Sequence, residues 1–285
     1  MLNVREFHYP ASVKDALALL KKYSGAGMVV AGGTTLSTWK DPKVTALVDI
    51  TRLGLSYVKK DGAGVVIGAT TSMRDLAGNI AVQKHAGGLL ARAASKVKSH
   101  LIRNVMTLGG HIVPTTPWTE ASPALLALDA KVRIAGPTGK EIKVSYADFA
   151  AKSEYRRLGR RELVTAIELD GALAKAGTGL SFFQRTSSEP TYCQVAVALT
   201  KGKGGAIGTA RVAVGGVSAR AVRCAKAEKL LAGAAHHPGL FASVAAAVVD
   251  EVPFAPDFRA SPAYQKELTG VMVRRALEEA WRNAR

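Results

Sequence analysis

The sequence predicts an α+β protein in two parts, and three observations carry that expectation. An apolar run, Met28-Val29-Val30, passes straight into Ala31-Gly32-Gly33-Thr34-Thr35-Leu36, the pattern of a buried strand ending in a glycine-rich turn. Further along the same part lies another glycine-rich segment, Thr107-Leu108-Gly109-Gly110-His111. Near Gly171 to Gly179 the sequence turns small and flexible, and its character changes. Strands and helices alternate before that point, whereas three strands and then a run of helices follow it. The expected division is 1–172, itself split at about residue 56 into subdomains 1–56 and 57–172, followed by 173–285.

Each element has its local reason. Ser12 caps a helix to about Tyr23, with Asp15 three residues on as in a capping box. Ala16, Leu17, Leu19 and Leu20 form its apolar stripe, and Gly25 ends it. Strands follow at Met28–Val30, Ala46–Ile50 and Gly64–Gly68. Ser72 caps a short helix to about Ala77, and an alanine-rich helix is expected from about Ala81 to Lys96. Glu120 to Leu128 reads as a helix. Lys131–Ile134 and Glu141–Val144 flank Gly136-Pro137-Thr138-Gly139, a hairpin signal, and Leu163–Leu169 is a further strand. The second part gives strands at Leu180–Arg185, Gln194–Thr200 and Ala206–Val214. The turn Lys201-Gly202-Lys203-Gly204-Gly205 joins the last two, and helices follow at Cys224–Leu231, His237–Val249 and Pro262–Trp281.

Composition narrows the function. Of 285 residues, 48% are hydrophobic and 21% charged, which excludes a disordered chain. No apolar run is long enough to cross a bilayer, and no signal peptide opens the sequence, so a cytoplasmic location is expected. Cys193 and Cys224 are too few for an iron–sulfur cluster and match no metal-ligand spacing; both read as small buried hydrophobes. The net charge of +17 favours an anionic ligand or an acidic partner. Apart from Arg156-Arg157 with Arg160-Arg161, and Lys201 with Lys203, the basic residues are scattered. Aromatics are only 6%, which offers no base-stacking platform, so no nucleic acid is expected. The turn Lys201–Gly205 lacks the ending of a phosphate loop, with Ile207 where the dinucleotide fingerprint needs glycine, and reads as a hairpin. His236 and His237 diverge by about 100° on a helix and cannot share a metal.

The two glycine-rich segments carry the chemistry. Glycine admits positive φ and close approach of a ligand to the main chain, and successive N–H groups form a concavity for phosphate. Two such loops in one domain suit a diphosphate with adenosine at one end and a flavin at the other. Val30-Ala31-Gly32-Gly33-Thr34-Thr35-Leu36 resembles the first FAD loop of the molybdenum hydroxylase flavoproteins, Ala-Gly-Gly-x-x-Leu. Ile102-Arg103-Asn104-Val105-Met106-Thr107-Leu108-Gly109-Gly110 resembles their second, and Ser122 to Ala130 continues the match. Ala210 to Val217, Ala227 to Gly233 and Tyr264 to Leu277 are similar to their C-terminal domain, so the likeness spans the chain in order.

The resemblance implies an FAD-binding region of two α/β subdomains, like that of vanillyl-alcohol oxidase, and a C-terminal α+β domain. It implies FAD contacts along Val29, Val30, Ala31, Gly32, Gly33, Thr34, Thr35 and Leu36, at Thr107, Gly109, Gly110 and His111, and at Glu120, Leu163, Gln184 and Tyr192. Both loops would hold the diphosphate through backbone N–H groups and the threonine hydroxyls. Three positions depart from the family pattern: His111 replaces Asn, Glu120 replaces the Asp beside the ribose, and Gln184 replaces a Lys that approaches the flavin. Tyr192 is the implied aromatic near the flavin ring. The implied partners are a large subunit with a molybdenum cofactor and a small subunit with two [2Fe-2S] clusters, in a dimer of heterotrimers. Electrons would pass from those clusters to FAD here and on to an external acceptor. The alternatives are a stand-alone flavin oxidase, for which His111 is the candidate covalent link, and a family member that has lost FAD.

Overall fold

The computed structural model describes residues 3–97, 99–114, 116–151, 161–186, 189–237, 239–256 and 258–285. Arg156, Arg157 and Arg160 of the expected basic cluster lie outside the described residues.

The chain begins with a small parallel sheet. Strand β1 (Glu6–His8), helix α1 (Val13–Lys22), β2 (Gly27–Val30) and β3 (Ala46–Asp49) form the order β1-β3-β2, all parallel. Ser12 caps α1 as expected: its Oγ accepts from the Asp15 N–H at 3.1 Å and donates to the Asp15 carboxylate at 2.7 Å. Ala16, Leu17 and Leu20 bury the apolar stripe against Val48 and Ile50.

The next unit is an antiparallel five-stranded sheet, β4-β5-β8-β6-β7. Its elements in chain order are β4 (Val58–Asp61), β5 (Gly64–Gly68), α2 (Met73–Gly78), α3 (Ile80–Lys84), α4 (Leu89–Ser95), α5 (His100–Val105), α6 (Leu108–Ile112), α7 (Ala121–Ala127), β6 (Lys131–Ala135), β7 (Glu141–Ser145), α8 (Tyr146–Ala151) and β8 (Leu163–Leu169). The continuous helix expected over Ala81–Lys96 is broken. Ala86, Gly87 and Gly88 take φ of 48°, 57° and 73°, a left-handed stretch that separates α3 from α4. Tertiary contacts fix it: the Ala86 N–H donates to the Ala174 carbonyl at 2.8 Å, and Thr178 Oγ1 donates to the Ala86 carbonyl at 2.9 Å. The segment expected as a glycine-rich loop at Thr107–His111 is instead a helical turn, with Thr107 as its cap.

The third unit is a four-stranded antiparallel sheet, β12-β11-β10-β9, made of β9 (Gly177–Phe183), β10 (Cys193–Lys201), β11 (Ile207–Gly215) and β12 (Val222–Arg223). Helices α9 (Ala225–Leu231), α10 (Leu240–Glu251) and α11 (Pro262–Asn283) cover one face. The alternation in β10 explains its unbroken apolar run. Cys193, Val195, Val197 and Leu199 pack under those helices, while Ala196 joins Ala213 in the core of the five-stranded unit. Both faces are therefore buried, and small alanines let α7 approach. The helix expected at His237–Val249 starts later, at Leu240; His236 instead stacks on Trp281, ring centroids 4.9 Å apart. Cys193 and Cys224 are buried free thiols, as expected. Burial pushes the Cys193 thiol up to about 12 and raises that of Cys224, so neither is a reactive thiolate.

Candidate functional site

Parallel strands β2 and β3 end side by side, and the first loop leaves from the carboxyl end of β2. Ligands of α/β sheets bind at that edge. Val30 stays inside the sheet, its carbonyl accepting from the Ile50 N–H at 3.0 Å. Beyond it, the N–H groups of Gly32, Gly33, Thr34 and Thr35 find no acceptor among the described residues. The carbonyls of Gly33, Thr34 and Thr35 are used, accepting from the Ser37 N–H, the Ser37 hydroxyl and the Thr38 hydroxyl. The loop thus turns its acceptors inward and leaves four consecutive donors unmet. That is the donor set a bound anion requires.

The two glycines do different work. Gly33 has φ +69° and open space where a side chain would stand. Gly32 faces the protein: a Cβ there would lie 1.7 Å from the Val105 carbonyl oxygen. Its missing side chain lets the first loop dock on the end of α5, just ahead of Thr107. The N–H groups of the second segment are consumed within the chain. Leu108 donates to the Thr71 carbonyl at 2.9 Å, Gly109 to the Ala69 carbonyl at 2.8 Å, and Gly110 to Thr107 Oγ1 at 3.2 Å. This segment builds a wall, and the free donors belong to the first loop. Close packing of Gly109 on Ala69 needs the absent side chain, since a Cβ would stand 2.9 Å from Ala69.

Together they enclose an open cleft of about 760 Å³. Val29, Ala31, Gly32, Gly33, Thr34, Thr35 and Leu36 line it from the first sheet, Thr107, Gly109 and Gly110 from α6, and Leu163 from β8. Sequence reasoning missed Trp39, Ile50, Ala69, Val113 and Pro114, which also line it. Ile50 was within reach, because it leaves β3 beside the loop that leaves β2.

The remaining expected residues stand apart from this cleft. His111 and Glu120 form a buried pair, Nε2 to Oε2 3.3 Å, with Ala121 N 3.5 Å from the same ring nitrogen. Thr191 Oγ1 donates to Glu120 Oε1 at 3.4 Å, and Gln194 Nε2 to the Glu120 carbonyl at 2.7 Å. This pair ties the start of α7 to the third sheet. Gln184 lines a separate broad cavity of about 1100 Å³, open side included, with Lys96, His100, Arg103, Phe182 and Arg185. Tyr192 lies against it: the Arg185 guanidinium sits 5.0 Å from the centre of its ring. The Tyr192 hydroxyl is buried and has no hydrogen-bond partner among the described residues. Among the described residues no group of three or more His, Cys, Asp or Glu side chains could hold a metal ion.

A nest of free N–H groups in an apolar cleft, with Gly33 open to close approach, suits an anionic ligand such as a nucleotide diphosphate. The particular ligand follows from comparison with known proteins. Residues 3–169 match the FAD binding domain in molybdopterin dehydrogenase, and residues 180–280 match the CO dehydrogenase flavoprotein C-terminal domain. The chain belongs to this family of FAD-binding oxidoreductase subunits. It is 28% identical over 280 residues to the carbon monoxide dehydrogenase medium chain of Hydrogenophaga pseudoflava, covering 97% of this chain and 96% of that one. It is 29% identical to the glyceraldehyde dehydrogenase medium chain of Sulfolobus acidocaldarius, covering 96% and 98%. A solved carbon monoxide dehydrogenase from Hydrogenophaga pseudoflava, lacking the Mo-pyranopterin moiety, superposes with a TM-score of 0.89 at 30% identity over 98% of both chains. The expected α+β class is thereby met, and FAD is the cofactor of the domain. No helix among the described residues is long and apolar enough to cross a membrane.

Proposed function

We propose that this chain is the electron-transfer subunit of a molybdenum-containing hydroxylase or dehydrogenase, receiving electrons from a partner's iron–sulfur clusters and passing them to an external acceptor. The observation that carries the reading is the run of four unmet N–H groups at Gly32–Thr35, which fits the FAD diphosphate. In this reading the diphosphate sits on the first loop, with the hydroxyls of Thr34, Thr35 and Thr107 in reach and Ile50 and Leu163 as apolar walls. The flavin ring extends toward the cavity of Gln184, near Tyr192, whose ring lies 5.0 Å from the Arg185 guanidinium on the cavity lining. His111 pairs with Glu120, which Thr191 and Gln194 hold, so this pair braces the start of α7. Bound FAD supplies a two-electron store that no side chain of this protein provides. The residues contribute fixed dipoles, shape and exclusion of water.

The same reading assigns 1–172 to FAD binding, in subdomains of about 1–56 and 57–172, and 173–285 to the C-terminal domain. Its partners are a large molybdenum-cofactor subunit and a small [2Fe-2S] subunit in a cytoplasmic dimer of heterotrimers. In support, relatives carry the names of medium chains and of a dehydrogenase complex subunit. The test is an absorption spectrum of the purified chain, then acid release and chromatography of the chromophore. Free FAD in the supernatant is expected. Flavin that stays with the precipitate would turn the assignment to a covalent oxidase, and failure to take up added FAD would overturn the reading.

A further inference from the structure

The cavity beside Gln184 gathers positive charge, with no carboxylate among its described lining residues. Lys96 lies at the end of α4, His100 and Arg103 on α5, and Arg185 just past β9; Ser95, Ser99 and Thr186 add hydroxyls, and Phe182 an aromatic face. Arg185 is forked onto Glu189 at 3.1 and 3.2 Å, and Arg103 donates to the Val97 carbonyl at 2.8 Å. Lys96 stands 6.0 Å above the Phe182 ring, and neither Lys96 nor His100 has an ion-pair partner among the described residues. Glu189 offsets part of the Arg185 charge, but Lys96 has no such partner among the described residues, so an anion entering the cavity meets net positive charge. Gln184 itself is neutral, and its amide donates to the Glu189 carbonyl at 2.8 Å, bracing the turn that carries Arg185.

We propose that Lys96 and Arg185 supply, from the rim of this cavity, the positive charge that stabilises reduced FAD, replacing the lysine whose position Gln184 occupies. This rests on the reading that the flavin ring lies at Gln184. Two electrons and one proton convert neutral oxidised flavin into a reduced ring bearing one negative charge, the electrons coming from the partner's iron–sulfur clusters. Nearby cations lower the free energy of that anion and leave the neutral oxidised ring almost untouched. Lys96 and Arg185 are therefore positioning charges that set the flavin potential.

The experiment uses the full chain loaded with FAD and reduced with dithionite against a reference dye. Lys96→Gln and Arg185→Gln are each expected to shift the redox equilibrium about tenfold toward the oxidised form, which is about 30 mV for a two-electron couple. Arg185→Lys should keep the parent potential. Gln184→Lys should shift it by a similar factor in the opposite direction, since it adds a charge at the cavity while its ammonium can still donate to the Glu189 carbonyl. Affinity for oxidised FAD should change less than about threefold in all of them. Potentials that stay within about threefold of the parent's redox equilibrium, with FAD bound, overturn the inference and leave the FAD reading standing. A parent chain that binds no FAD overturns both.

Discussion

Gly32 and Gly54 separate two reasons for a glycine, and exchanging each for alanine tests the loop assignment. At Gly54, φ is +68° and nothing stands within 4 Å of where a Cβ would lie, so Gly54→Ala brings left-handed strain alone. That strain is about 1–2 kcal/mol, which lowers the melting temperature by a few degrees in a domain of this size. At Gly32 a Cβ would lie 1.7 Å from the Val105 carbonyl oxygen and 2.6 Å from its carbon. Side chains do not approach closer than about 3 Å, so loop and helix end must part by more than an ångström. Both sides are backbone and cannot swing away, which puts the cost at the upper end of the roughly 1–3 kcal/mol typical of overpacking.

The larger effect falls on the cofactor. Each N–H donating to a diphosphate oxygen contributes about 1.5–3 kcal/mol, and misplacing two of the four free donors loses at least about a hundredfold in affinity. The assay is quenching of FAD fluorescence on titration with apoprotein, alongside thermal melts of both variants. Gly32→Ala should weaken binding by that factor, while Gly54→Ala binds as the parent does despite a comparable loss of stability. Parent-like affinity in Gly32→Ala would refute the assignment of the diphosphate to this loop.

Three further outcomes follow from the structure. Tyr192→Phe removes a buried hydroxyl with no partner, so the apoprotein should be as stable or slightly more stable, while FAD affinity falls by about tenfold; equal affinities for parent and variant would place the flavin elsewhere. Asp129 binds Arg211 at 2.7 Å and also Arg223, bridging the first 172 residues to β11 and β12, and Asp129→Ala should cost roughly 1–2 kcal/mol in urea unfolding, since these groups are only partly buried. Burial lowers the pKa of His85 despite its hydrogen bond to the Asp170 carbonyl, so the unfolded chain binds its proton first as pH falls. Stability at this group is full above about pH 6.5 and declines below it, by up to about 1.4 kcal/mol per pH unit; His85→Gln should flatten that slope, and an unchanged slope would contradict the assignment.

Much of this was legible in sequence because the signals were local. Ser12 with Asp15 and Ser72 with Asp75 announce their helices within four residues, and both caps form. The hairpin at Gly136–Gly139 and the buried run of β10 depend on turn chemistry and apolar alternation alone. Two of the failures share an origin, which is contact at a distance. Alanine composition favours one helix over Ala81–Lys96, but Ala174 and Thr178 hold Ala86 in a conformation that ends it. β4 reads Val-Lys-Lys-Asp and escaped notice because an exposed edge strand carries charge rather than an apolar face. In the site, the motif located both glycine-rich segments without showing that only the first keeps its donors free. That distinction rests on the Thr71 and Ala69 carbonyls, which sequence does not link to Leu108 and Gly109.

In the proposed reading, the third sheet brings residues far from the loops to the same ligand. Strands β9 and β10 pair in register, with Phe183 opposite Cys193, and the Tyr192 N–H donates to the Phe183 carbonyl at 3.0 Å. Gln184, Arg185 and Tyr192 therefore emerge at one end of one ladder. The sheet beneath them has little freedom to move. Gly177 and Gly179 admit α11 onto the strand backbone, where a Cβ would lie 2.1 Å from Ala284 N and 1.9 Å from the Ala276 carbonyl oxygen respectively. From the other side, Arg92 of α4 binds Glu279 of α11 at 2.5 Å, and the second Glu279 oxygen accepts from the Leu180 N–H at 2.9 Å. One carboxylate thus joins α4, β9 and α11, and α4 is the helix that ends in Lys96. The clamp therefore ties the helix that carries Lys96 to strand β9, while Arg185 is held beyond the strand end by Glu189.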